Sequence, residues 1–410
     1  MQYVDLGTLK TPKRKRPKKK ILKVIFLFLA FFMGVYVLAT LFLPSGNIIR
    51  EVLNAPGTAL SVLNDPLAHL KSTNGRTNIL VLGIDKRKDI PYSYKGAGGK
   101  IYHNGFLSDT MLVVSIDLKT KDVAMVSLPR DLWVTFGGSN HLQAQSGKIN
   151  SVYSTGTMAD YPGGGLVLAK ETVSKYLGLD IHYGARVDFE AFRRMINSVG
   201  GIDITVDKAF EDYEYPIEGK EEADCGAISV LSPEGTPVAV PTYSCRYTTL
   251  KFKTGETHMD GETALGFVRS RHGTNGEGSD FARAARQQKV IVGLKNKVLS
   301  TQTLLDPIKI AKLVNDFGDT IETDFDLATL PGLFKLGKEF DNDKVRTAVL
   351  NIGEKELLFH PENGQYGGAY VLVPKDPTWG EVKLYIKQVL AGLAPTPSTT
   401  PTLTPTKKAS

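Results

Sequence analysis

Short apolar runs and helical spacings alternate along this chain from about residue 75 onward. Asn78–Ile84 (NILVLGI) is compact, apolar and rich in β-branched residues, which predicts a buried strand ending at Asp85. Thr110–Ile116 and Val123–Leu128 flank the polar stretch Asp117–Asp122 and predict an antiparallel hairpin. Centring that hairpin between Lys119 and Thr120 sets Asp109 opposite Arg130 at its open end, either as a site or as a plain cross-strand ion pair. Asp188 is placed to cap a helix on which Phe189, Phe192, Met195, Ile196 and Val199 recur at helical spacing, stopped by Gly200-Gly201 before the strand IDITV. Residues 211–251 carry breakers and both cysteines and read as an insertion, a lid or an elaborate loop.

Residues 264–288 carry the densest chemistry. Leu265–Arg271 alternates as a strand would, placing Phe267, Arg269 and Arg271 on one face. A Gly-rich loop from His272 leads to Ser279-Asp280 as a helix start, and Arg283 and Gln287 then share a helix face with Arg286 three beyond Arg283. A surface salt-bridge network would also use such arginines. Their clustering favours an anion site, because the planar guanidinium grips phosphate oxygens bidentately and keeps its charge. Gly163-Gly164-Gly165 lacks the Lys-Ser/Thr of a phosphate-binding loop, and the histidines show no zinc-ligand spacing.

Charge and hydropathy change the picture at the N-terminus. Of 50 Lys/Arg and 43 Asp/Glu, residues 1–23 hold nine and one, leaving 41 against 42 in the remainder. The basicity is a tail and not a nucleic-acid-binding surface, so no nucleic-acid partner is expected. Val24–Leu43 follows without a charge and is long enough to cross a bilayer core of about 30 Å. Its length favours a retained signal anchor over a cleaved leader. The positive-inside rule then places the basic tail in the cytoplasm and the rest outside the cell membrane. There, Cys225 and Cys245 favour a disulfide over two free thiols. The expected organisation is a basic tail at 1–23, an anchor at 24–43, a stalk at 44–74, a main domain at 75–300, a C-terminal α/β extension at 301–392 and a disordered Pro/Thr-rich tail at 393–410.

The ordered blocks NILVLGID (78–85), SDTMLVVSID (108–117), VSLPRDLWV (126–134), KINSVYSTG (148–156), VDFEAFRRMINSVGGIDITV (187–206), MDGETALGFVRSRH (259–272) and DFARAARQQKVI (280–291) resemble the LytR-CpsA-Psr family. The resemblance implies a three-layer α/β/α sandwich with a central mixed sheet. It also implies a phosphotransferase moving a glycopolymer from a polyprenyl-pyrophosphate carrier to a peptidoglycan hydroxyl. Residue by residue, Asp85 and Asp109 match acids associated with Mg²⁺. Arg130, Arg269, Arg271, Arg283 and Gln287 match residues around the pyrophosphate, and Lys148 matches a further basic position. Arg286 is counted with Lys148 and Gln287 among the substrate-binding candidates. Many members carry an arginine two residues before the second acid, where this chain has Leu107. The carrier's prenyl chain implies an apolar pocket lined by the strands and the helix after Asp188. A non-catalytic module binding lipid-linked glycan and a pyrophosphate hydrolase are the competing readings.

Overall fold

The computed structural model describes residues 65–86, 91–95, 101–231, 236–298, 321–326, 329–339, 345–350 and 357–393. The basic tail, the apolar anchor and the Pro/Thr-rich residues 394–410 lie outside the described residues. Among the described residues no helix is long and apolar enough to cross a membrane.

Six strands form the central sheet: β1 (Arg76–Ile84), β2 (Ser108–Asp117), β3 (Val123–Leu128), β4 (Tyr183–Asp188), β5 (Ile321–Thr323) and β6 (Val345–Val349), in spatial order β5-β4-β1-β2-β3-β6. β1–β4 and β3–β6 are parallel and the other neighbours antiparallel, so the sheet is mixed. The β2–β3 hairpin has the expected register, with Met111 opposite Leu128 and Val113 opposite Val126. Every residue of β3 is buried, which is why its sequence, apolar but for Ser127, shows no alternation.

Among the described residues seven helices flank the sheet: α1 (Val152–Met158), α2 (Gly164–Leu177), α3 (Phe189–Ser198), α4 (Gly261–Arg269), α5 (Asp280–Val298), α6 (Leu330–Glu339) and α7 (Gly380–Leu390). Leu80, Leu82, Val113 and Val126 point to one face, where they pack with Val152 of α1, Leu168 and Val173 of α2 and Ile386 of α7. On the other face Leu112, Val123 and Met125 meet Ile291 and Val292 of α5, while Tyr183 meets Leu336 of α6. The layers are therefore α/β/α. A second core joins α3, α4 and α5 around Ile196, Ile204, Met259, Phe267 and Val290.

Three segments are placed differently from their sequence reading. Residues 65–70, assigned to the stalk, pack on the domain: Leu70 is buried against Tyr183 and Leu336, and the Lys71 amide donates to the Tyr183 hydroxyl at 2.7 Å. The C-terminal portion supplies both edge strands of the sheet, β5 and β6, so it completes the domain. Gly261–Arg269 is a helix and not the end of a strand. Asp260 caps it by accepting from the Thr263 amide at 2.8 Å, and Ala264, Leu265, Phe267 and Val268 fall on its buried stripe. The insertion is a strand pair, Phe210–Pro216 with Tyr247–Phe252, bearing an exposed ribbon, Ala227–Leu231 with Pro237–Pro241. Cys225 and Cys245 are disulfide-bonded near its base, with 5.4 Å between Cα atoms.

Candidate active site

The site forms at one end of the sheet, where β1 and β3 finish and β2 begins. Gly83 pairs with Thr110 but Ile84 pairs with Ser108, so Asp109 is the extra residue of a β-bulge. Bulges re-aim side chains at sheet ends, and this one sets Asp109 beside the strand that delivers Asp85. Gly83 is needed for the close approach: a Cβ there would lie 2.8 Å from the Thr110 Cβ. Across the hairpin, Arg130 Nη1 donates to Asp109 Oδ1 at 3.1 Å. Burial alone would lower the Arg130 pKa, but the carboxylates of Asp109 and Asp131 outweigh it and raise it.

The second arm comes from α4. Leaving that helix at Ser270, the chain wraps a buried carboxylate: Asp212 Oδ2 accepts from Ser270 Oγ at 2.7 Å, Arg271 N at 3.1 Å and His272 N at 3.2 Å. This turn sends the two arginines apart. Arg269 lies 4.1 Å over the Phe189 ring, donates to the Tyr215 hydroxyl at 3.5 Å and reaches Asp85 at 4.0 Å. Arg271 enters a cavity of about 260 Å³ with Asp109, Arg130, Arg283 and Gln287. From α5, Arg283 pairs with Asp280 at 2.9 Å and Gln287 Nε2 donates to Thr110 Oγ1 at 3.1 Å. The Arg283 pKa is lowered, first by burial and then by Arg271 and Arg130, while Asp280 and Asp109 oppose. Like charges crowded in this way make the cavity favourable ground for an anion.

Two candidates are placed otherwise. Lys148 is held at 2.6 Å by Asp131, whose other oxygen faces Arg130 Nε at 3.4 Å, so it buttresses Arg130 without lining the cavity. Arg286 is 2% exposed and spends its donors on Phe267 O, Ser270 O and both oxygens offered by Glu277, at 2.7–2.8 Å. It locks α5 to the exit of α4 and contributes no donor to the cavity. Conversely, the cavity is lined by Asp131, Leu350, Tyr370 and Leu372, none of which carried a signal in the sequence. Leu107, in the place of the family's arginine, is 49% exposed. A larger open groove along α2, about 600 Å³ and lined by Lys170, Ser174 and Lys175, gathers none of these groups.

Asp85 and Asp109, brought to neighbouring strand ends by the bulge, suit Mg²⁺, which takes one or two carboxylates and completes its shell with water and phosphate oxygens. Among the described residues no cluster of three or more His, Cys, Asp or Glu forms an all-protein metal site.

A mixed sheet closed on both faces by helices, with acids and arginines converging at one end, defines an α/β/α protein with a charged cavity at its sheet end. Residues 56–383 match the LytR_cpsA_psr family, and the chain belongs to it. It is 28% identical over 289 residues to the polyisoprenyl-teichoic acid–peptidoglycan teichoic acid transferase TagV of Bacillus subtilis (strain 168), a match covering 70% of this chain and 59% of that protein. It is also 28% identical over 268 residues to the regulatory protein MsrR of Staphylococcus aureus (strain COL), covering 65% and 61%. The chain thus spans about three fifths of each relative. The crystal structure of protein gbs0355 from Streptococcus agalactiae shares the fold, with a TM-score of 0.51 and 21% identity over 77% of this chain and 88% of that one.

Proposed function

We propose that this chain is a membrane-anchored, extracytoplasmic phosphotransferase that moves a glycopolymer phosphate from a polyprenyl-pyrophosphate carrier to a peptidoglycan hydroxyl. The observation that carries the reading is the convergence of Arg130, Arg271 and Arg283 on one cavity that also holds Asp109. A carboxylate in the cavity weakens simple anion binding, which favours chemistry over a module that only grips anions. Family membership and the name of the Bacillus subtilis relative support transfer to the wall.

In this reading the acceptor hydroxyl oxygen attacks the glycan-bearing phosphorus. A new P–O bond forms as the bond to the bridging oxygen breaks, and polyprenyl phosphate leaves with the electron pair. Negative charge grows on the bridging and equatorial oxygens, so positioning and preorganised donors supply most of the catalysis. Arg130, Arg271 and Arg283 meet that charge, and Gln287 orients an oxygen from the α5 side. The acceptor's proton passes to a base at the cavity, a role Asp109 can fill only while it does not hold the metal. Mg²⁺ held by Asp85 and Asp109 would supply charge neutralisation and template the pyrophosphate. Apolar side chains such as Met111, Leu128, Phe281 and Leu350 line the same cavity, a dry surface suited to the carrier's first prenyl units.

The test uses the full chain, a lipid-pyrophosphate sugar labelled in its glycan, and peptidoglycan, with Mg²⁺ or EDTA, for wild type and Arg130→Ala. Label on the wall polymer that needs both metal and Arg130 supports transfer. Label released as a free sugar phosphate would make the protein a hydrolase, and tight binding without product would make it a binding module.

A further inference from the structure

The C-terminal portion does more than close the sheet. Its segment 357–374 docks on the stretch that carries the central arginine: Leu372 N donates to Asp131 O at 2.9 Å and Trp133 N donates to Leu372 O at 2.8 Å. This parallel bridge sets Tyr370 beside Arg130, in the lining of the cavity with Asp131 and Asp280. Yet the Tyr370 side chain remains 51% exposed, and its hydroxyl makes no hydrogen bond among the described residues. Its ring stacks on His360, with centroids 4.4 Å apart and planes at 32°. The His360 ring is itself fixed, because its Nδ1 donates to the Val371 carbonyl at 2.9 Å. A few residues away Tyr366, 37% exposed, packs edge-on against Trp133 at 5.0 Å. Tyr366 holds a φ of +58°, in the left-handed region that non-glycine residues seldom adopt, and its partner Trp133 lies two residues beyond the cavity-lining Asp131.

Exposed, pre-stacked aromatic rings beside a polar cavity have a specific chemical complement. They offer flat apolar area at little entropic cost, matching the C–H face of a pyranose, while the flanking carboxylates of Asp131 and Asp280 can accept from its hydroxyls. We propose that Tyr370 on His360 and Tyr366 on Trp133 form a pyranose-binding platform that holds a glycan ring with its reacting end in the arginine-lined cavity. This rests on the transferase reading of that cavity, and the ring can come from the donor's glycan or from the wall acceptor. Burial and the nearby Asp131 and Asp280 raise the Tyr370 pKa, which keeps its phenol a neutral hydrogen-bond donor.

The test measures binding to the full chain in detergent micelles by calorimetry. The probes are an N-acetylglucosaminyl pyrophosphate without lipid, a muramic-acid-containing wall oligosaccharide without phosphate, and inorganic pyrophosphate. Tyr370→Ala and Tyr366→Ala should each weaken one sugar probe by about ten-fold, leave inorganic pyrophosphate within about two-fold, and in turnover raise KM for that substrate more than they lower kcat. Tyr370→Phe, which keeps the ring, should stay within about three-fold of wild type. The sugar probe affected identifies the source. Unchanged affinity for both sugar probes in both alanine variants, or no sugar binding by wild type, overturns the platform even if transfer proceeds. Tyr370-dependent sugar binding without any transfer leaves the platform standing and removes the transferase reading.

Discussion

Asp212 is the residue whose removal tests the architecture most directly. It is 1% exposed, and its Oδ2 accepts three hydrogen bonds from Ser270 and the Arg271 and His272 amides while Oδ1 accepts the Glu214 amide at 3.0 Å. Asp212→Asn keeps the volume but removes the charge and turns one acceptor into a donor that faces a donor. Hydrogen bonds to a charged partner are worth about 1.5–3 kcal/mol against about 0.5–1.5 for neutral ones, so weakening three and losing the fourth should cost about 2–4 kcal/mol after relaxation. Burial alone would raise this carboxyl's pKa, but the hydrogen bonds from Ser270, Glu214, His272 and Arg271 outweigh it and hold it below the usual range. A depressed folded-state pKa means stabilisation fully present above the unfolded value, about 3.9, and lost as pH falls through the lower folded value. Thermal unfolding from pH 7 to pH 3 should therefore show a gap between wild type and Asp212→Asn that narrows below about pH 4. Because the same carboxylate aims Arg269 and Arg271, kcat/KM should also fall by about 10- to 100-fold. Equal unfolding midpoints at pH 7, or a gap constant to pH 3 with turnover unchanged, would refute the assignment.

Arg130→Ala should lower kcat by about 10²- to 10³-fold in the labelled-transfer assay, and Arg130→Lys should recover only part of it because a point charge cannot replace the fork held by Asp109 and Asp131. Arg283→Met and Arg286→Met should separate: the first should fold normally and lose transfer. The second, stripping partners from two buried carbonyls and Glu277, should lose about 3–5 kcal/mol in denaturant titration. Asp85→Asn and Asp109→Asn should each raise the Mg²⁺ concentration giving half-maximal activity, and EDTA should abolish transfer until Mg²⁺ is restored. Replacing Cys225 and Cys245 by Ser opens a bridge of sequence separation 20, worth about 3 kcal/mol by loop closure, so limited proteolysis should accelerate within 226–244 while transfer persists.

The sequence was most legible where local signals agreed. Two apolar runs around one polar turn fixed the β2–β3 register and with it the Asp109–Arg130 pair, and Asp188 caps α3 through the Ala191 amide at 2.7 Å as its position promised. It misled at Leu265–Arg271, where a short apolar run fits either period. The deciding clue was Asp260 three residues before Thr263, a cap signature that outranks alternation. β5 and β6 are only three and five residues long, too short to show any period. Asp212 sits among Glu211, Glu214 and Glu218 at the start of the stretch read as an insertion, so nothing local singles it out. The bulge at Asp109 and the docking of Tyr370 beside Arg130 are set by pairings between distant segments, which no local pattern encodes.

The site's charges are arranged for partner exchange. Asp109 holds Arg130 and Asp85 faces Arg269, so both arginines are aimed without leaving isolated buried charge. Under the proposed function, a divalent cation and a pyrophosphate would offer each group a stronger partner: the carboxylates would hold the cation and the guanidiniums would turn to phosphate oxygens. Arg271 forms no ion pair among the described residues, and it shares the cavity with Arg283, whose pKa its charge helps to lower. The cation and the anion should therefore bind cooperatively, each releasing the groups that the other needs. Under the same reading Leu107 would sharpen this dependence, because the resemblance puts an arginine there in many members and its absence would leave more of the pyrophosphate's charge for the cation to balance.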